Sequence, residues 1–159
     1  STDYKTDGKS AQNPSSWSWV TPSGWSDMPG DGLRLARFTL PGGGENTVVL
    51  LSGDAGGVEA NVRRWTKQLG MELTNLEIQQ FIDDAVQVQS NLNFLLFDFT
   101  SLVDGPGDTA FLVAIASVGG ETMFVKAEAL SSTLSKQKGA FISLLRSLKS
   151  ALSAAEYGN

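Results

Sequence analysis

The stretch "AFLVAIASVGGETMFVKAEA", residues 110–129, constrains the fold more than any other part of the chain. Two runs of strand-forming residues flank Gly119-Gly120, the two-residue link that a type I′ hairpin turn favours. The first run is apolar on both faces. Phe111, Val113 and Ile115 point one way, and Ala110, Leu112, Ala114 and Ala116 the other, because side chains alternate along a strand. A strand without a wet face needs cover on both sides. The alanine side lets a helix sit close. The pattern therefore predicts an antiparallel sheet with helices on each face.

The rest of the chain supplies the parts. Residues 1–16 are polar without an apolar period and read as a flexible tail. "WSWV" (17–20) reads as a short strand and "TPSGWSDMPGDG" (21–32) as turn chemistry. In "LRLARFTL" (33–40) the apolar set shifts from Leu33 and Leu35 to Ala36, Phe38 and Leu40, which a bulge or burial on two faces explains. "PGGGEN" (41–46) links it to "TVVLL" (47–51) as a hairpin.

Val58, Val62, Trp65 and Leu69 form one stripe of a helix over 58–70, and Gly70 suits the left-handed position that ends it. Thr74 with Glu77 reads as a capping box opening a helix over 74–85. Residues 86–89 and 93–101 read as strands, and 102–109 as a loop. A last helix is expected from about residue 132 to 154 on the stripe Leu134, Phe141, Leu144, Leu145, Leu148 and Leu152, with a bend or restart at Gly139 and a frayed end over 155–159. Residues 17–154 are thus expected to form one domain.

The chain lacks both cysteine and histidine, which removes disulfides, thiol nucleophiles, imidazole bases and the usual zinc ligands together. Metal could be held only by oxygen ligands, and no calcium loop of the EF-hand pattern is visible; no catalytic, cofactor-binding or metal residue is expected. A net charge of −5 argues against a nucleic-acid partner, and no apolar run approaches the ~20 residues that span a bilayer.

The glycines of "GDAGGVEA" (53–60) follow an apolar run and precede a helix, the outline of a phosphate-binding loop. Val58-Glu59 stands where a Walker loop needs Lys and Ser/Thr, and the dinucleotide spacing is absent. A tight strand-to-helix connection explains Gly53, Gly56 and Gly57 better. Asp98 interrupts "FLLFDFT"; a structural ion pair is the expected role, with a catalytic carboxylate as the alternative if burial raises its pKa. Asp83-Asp84 read as solvated groups or local caps. Arg63, Arg64 and Lys67 form a basic helix surface, either solvated or a partner site. Lys136, Lys138, Arg146 and Lys149 against Glu156 make the C-terminal segment basic. Of Trp17, Trp19, Trp25 and Trp65, at least Trp19 and Trp65 are expected in the core.

"WVTPSGW" (19–25), the hairpin over 111–129 and "AFISLLRSL" (140–148) resemble the Mog1/PsbP-like fold family. "GGVEANVRRWTKQLG" and "GGETMFVK" resemble, within it, bacterial cell-envelope proteins that are often lipoproteins. The resemblance implies an α+β fold, an α/β/α sandwich around a mainly antiparallel sheet, with no catalytic residues to carry over. The expected function is a non-enzymatic, extracytoplasmic binding or accessory domain. It would be tethered through its N-terminal side and bind a protein or envelope component, with neither nucleic acid nor a membrane span. The candidate partner or ligand surface is Arg63, Arg64, Lys67 and Asp98. The alternative is a small-ligand binder or carboxylate-dependent enzyme with Asp98 in its site.

Overall fold

The computed structural model describes residues 11–12 and 17–150. Seven strands build the central sheet: β3 (Ser26–Met28), β4 (Arg34–Thr39), β5 (Glu45–Ser52), β6 (Val86–Gln89), β7 (Asn93–Asp98), β8 (Thr109–Val118) and β9 (Glu121–Leu130). Their order is β3-β4-β5-β9-β8-β7-β6, and every pairing is antiparallel. The predicted hairpin is β8–β9, in register from Thr109 opposite Leu130 to Val118 opposite Glu121. Gly119 and Gly120 both take positive φ, 52° and 84°, as its turn requires. The register of β4 on β5 shifts between Arg34 and Ala36, the bulge expected from the apolar phase change.

Three helices cover the sheet: α1 (Val58–Gln68), α2 (Asn75–Asp83) and α3 (Ser131–Ser147). The alanine side of β8 packs with Leu134, Phe141, Leu144, Leu145 and Leu148 of the α3 segment. The Phe111/Val113 side packs with Val62 and Trp65 of α1 and Ile78 and Phe81 of α2. The two-sided burial read from residues 110–118 is therefore an α/β/α sandwich. Thr74 and Glu77 form the capping box at α2, and Gly70 ends the α1 segment at φ 80°.

A second, three-stranded sheet packs on the α3 side: β1 (Ala11–Gln12), β2 (Trp17–Trp19) and β10 (Lys149–Ser150), in the order β1-β2-β10. Two expectations are corrected here. Ala11–Gln12 belong to a strand rather than a featureless tail; the other residues of 1–16 lie outside the described residues. The last helix stops at Ser147, not 154: Leu148 turns to an extended conformation at ψ 128°, and Lys149 and Ser150 pair with Ser18 and Trp17. The pairing offers Lys149 and Ser150 strand hydrogen bonds in place of helical ones. Leu152 and residues 155–159 lie outside the described residues.

Other differences are local. The helix passes through Gly139 without a break. The strand expected over 93–101 ends at Asp98, whose side chain accepts the Thr100 N–H and opens a 3₁₀ turn over Phe99–Leu102. The turn-rich segment 21–32 also contains β3. All four tryptophans are buried, and Trp25 donates its indole N–H to Gln137 of α3 at 2.9 Å.

Candidate functional site

Helices α1 and α2 do not cover their whole side of the sheet. The apolar cluster beneath them takes Phe97 of β7, Phe111 and Val113 of β8 and Phe124 of β9, and only Leu51 from β5. Nothing from β4 contributes among the described residues. The sequence explains the gap: where Phe38 and Val48 turn to the α3 side, their neighbours toward the α1 side are Arg37, Thr47 and Glu45. Arg37 stands opposite Thr47, and Thr47 opposite Lys126 of β9. Three polar side chains thus run across β4, β5 and β9. Because β9 is the middle strand of seven, Lys126 projects from the centre of the sheet.

Lys126 is half-buried. Its Nζ lies 4.1 Å from the Phe111 ring centroid and 6.0 Å from that of Trp65, within the range of cation–π attraction. Arg64 lies over the same indole at 5.2 Å. Burial pushes the Lys126 amine below the usual lysine range; Glu128 partly restores it and Arg64 depresses it further. Lys126 itself is in no ion pair within 4.0 Å among the described residues. The arginines of β4 are already paired. Arg37 binds Glu45 at 3.2 Å, and Arg34 reaches Asp31 at 3.7 Å and Glu45 at 3.9 Å.

Lys126 opens into a recess of about 210 Å³ with Arg34, Glu45, Thr47 and Glu128. Glu128 also borders a neighbouring recess of about 450 Å³, between the end of α1 and the 103–109 loop, lined by Gly70, Asp104, Asp108 and Phe111 among others. That loop is anchored, because the carbonyls of Pro106 and Asp108 accept the Ser132 and Ser131 N–H groups at the start of α3, where no side-chain cap is present.

The four site residues expected from sequence do not converge. Arg63 ties α1 to α2, pairing with Glu59 at 2.9 Å and donating to Asn75 Oδ1 at 2.8 Å. Lys67 shares a recess with it between the two helices. Arg64 alone turns toward Lys126. Asp98 lies on the α3 side, paired with Lys138 Nζ at 2.8 Å. Burial raises its pKa, but hydrogen bonds from Lys138 and Thr100 outweigh that and hold the carboxyl below its ordinary value. That is the direction of a structural ion pair, opposite to the raised pKa a general acid needs. Lys126, Thr47 and Glu128 were missed. The signal was the alternation Phe124, Lys126, Glu128, which sets charges on one face of a strand whose hairpin partner is apolar on both.

The glycine loop is closed by its own side chains. Asp54 accepts the Gly56 N–H at 3.1 Å, and Asn61 donates to the carbonyls of Gly57 at 2.6 Å and Ala55 at 3.0 Å. Gly56 and Gly57 take φ of 93° and 85°, which explains glycine at both positions. The Asp54 carboxylate and Glu59 occupy the helix start, where a phosphate would be repelled. Among the described residues no group of His, Cys, Asp or Glu could hold a metal ion, and no helix is long and apolar enough to cross a membrane.

The architecture is the Mog1/PsbP-like α/β/α sandwich. The solution structure of cyanobacterial PsbP (CyanoP) from Synechocystis sp. PCC 6803 matches it with a TM-score of 0.56, over 89% of this chain and 91% of that protein, at 12% sequence identity. A crystal structure from Bacteroides thetaiotaomicron VPI-5482 matches with a TM-score of 0.53 over 90% of this chain, at 15% identity. The chain spans about half of the Bacteroides protein, 48% of its length. No protein-family model matches the sequence, and the search of curated proteins gave no match. These likenesses establish the fold.

Proposed function

We propose that this chain is a non-catalytic binding domain acting outside the cytoplasm, tethered to the cell envelope through its N-terminal side, and that it docks its partner on the open part of the sheet over β4, β5 and β9. One observation carries the reading: a half-buried lysine at the centre of the sheet, without an ion-pair partner among the described residues, at the floor of an open recess. Holding such an amine partly desolvated costs stability unless something compensates it. A partner that covers the recess and supplies the missing counter-charge is that compensation. The likeness of "GGVEANVRRWTKQLG" and "GGETMFVK" to cell-envelope proteins supports the location. Arg64 belongs to this surface, Arg63 and Lys67 flank it on the adjoining helix, and Asp98 contributes to the sandwich instead.

A photo-crosslinking residue at Thr47, in the recess, and another at Ser143, exposed on α3, test the reading in the native envelope. A discrete adduct from Thr47, absent from Ser143 and lost with Lys126→Glu, is expected. Equal adducts from both positions would count against it.

A further inference from the structure

We propose that Lys126 and Arg64 form a docking point for the carboxylate of an acidic side chain on a partner protein, an inference that rests on the open sheet being the binding face.

The charges on this surface select the ligand. Arg34, Arg37, Arg64 and Lys126 stand against Asp31, Glu45 and Glu128, so one positive charge is left over in a chain whose net charge is −5. Asp31 and Glu45 are taken by Arg34 and Arg37. The surplus therefore sits with Arg64 and Lys126, two cations drawn over one indole. Arg64 donates at 2.6 Å to the neutral side-chain oxygen of Asn61, so its charge is not neutralised there. A single carboxylate bound to both cations balances the patch and relieves the repulsion between them. A phosphate dianion would overshoot, leaving net negative charge beside Glu45 and Glu128. Thr47, directly opposite Lys126, supplies a hydroxyl able to donate to the bound oxygen. The recess is open and only about 210 Å³. That volume suits a side-chain tip presented by a larger molecule better than a free metabolite, which needs a pocket that buries most of its surface. Electrostatic matching of this kind sets orientation and partner choice.

The test is an amide NMR titration of the full chain with three probes: the peptide acetyl-Gly-Glu-Glu-Gly-amide, its Gln-Gln counterpart, and inorganic phosphate. The Glu peptide is expected to shift the Thr47, Lys126 and Glu128 amides saturably, and the Gln peptide to leave them in place. Lys126→Met should abolish the shifts. Arg64→Gln, at an exposed position and with an amide still able to donate to Asn61, should weaken binding by roughly tenfold, the scale of one charge-assisted hydrogen bond. Lys136→Gln, on the exposed surface of α3, should change nothing. Unsaturable shifts, or shifts unchanged in Arg64→Gln, would overturn the proposal, as would phosphate saturating the same amides at lower concentration. If Thr47 still crosslinks in the envelope while the Glu peptide fails, the binding face stands and the carboxylate assignment falls. If both fail, neither reading survives.

Discussion

The two sides of the sheet are built to different standards. On the α3 side, small residues of β8 and β9 (Ala110, Ala114, Ala116, Ala127 and Ala129) bring the helix close, and three tryptophans and a second small sheet close the margins. On the other side, large aromatics hold α1 and α2 away from the strands. Trp65 meets Phe99 and Phe124 edge-on at about 6 Å, and Phe81 lies tilted against Phe99 at 4.7 Å. The cover there ends at Trp65, and beyond it Arg37, Thr47 and Lys126 run across the sheet. A side packed to its margins has no surface left for a partner. The side that stops half-way leaves one, and it is there that Lys126 is found, partly buried and without an ion pair among the described residues.

The strongest test of this contrast removes one aromatic from each side. Phe141→Ala beneath α3 and Trp65→Ala beneath α1 should each cost on the order of 3–5 kcal/mol in denaturant melts, since both are buried. The sides differ in how they take added volume. Ala114→Leu, where α3 sits close, should cost about 1–3 kcal/mol, whereas Val49→Ile, on the open part of β5, should be tolerated within about 0.5 kcal/mol. Equal penalties would mean that the open side is packed as closely as the other.

The helix that covers the well-packed side offers two smaller tests. Asp98 has a lowered pKa, so its pairing with Lys138 contributes at neutral pH and is lost as pH falls through the folded value, below about pH 4. Asp98→Asn should therefore cost about 1 kcal/mol at pH 7, discounted for the solvent that reaches both partners, and less at pH 3. A cost that does not shrink in acid would assign the loss to Thr100 rather than to the ion pair. Gly139 is exposed, helical and free of neighbours within 4 Å of an added Cβ. Gly139→Ala should raise stability by about 0.5–1 kcal/mol; a loss would show that the helix needs the freedom there that the sequence led us to expect.

How much could be read beforehand follows the same division. The double-faced apolar run 110–118 dictated both helix layers, and the alanine side correctly located the close one. Caps and turns were legible because their chemistry is local: Thr74 with Glu77, Gly70, and the Gly119-Gly120 link. The end of α3 was not, because Leu148 and Lys149 continue a helical pattern, and what stops it is the strand Trp17–Trp19, at the other end of the described domain. The candidate site was largely hidden for a related reason. Arg64 was visible as a basic group, but Lys126 gains meaning only from being on the middle strand, past the edge of α1, and strand order is not written in any local spacing. Arg63 read as part of a basic helix surface and is tied to Asn75 and Glu59, while the ion pair expected of Asp98 could not be given its partner, Lys138, which is 40 residues away in the chain.

The smallest effect is the most specific to the open side. Desolvation lowers the pKa of Lys126, so between its folded value and the usual lysine value of about 10.4 the unfolded chain binds more protons than the folded one. Stability from this group therefore rises with pH in that window, the reverse of a lysine that gains a partner on folding, and at neutral pH the buried charge is a net cost. Lys126→Met keeps an unbranched chain at this position and removes the charge that lies over the Phe111 ring. It should leave stability at pH 7 unchanged or raise it by less than about 1 kcal/mol, and it should flatten the alkaline rise expected of the unaltered chain. Melts of both forms at pH 7 and pH 10 decide the matter. If the substitution instead costs 2 kcal/mol or more on the scale of lost buried ion pairs, the amine is already satisfied within the fold, and the case for an external counter-charge at this recess fails.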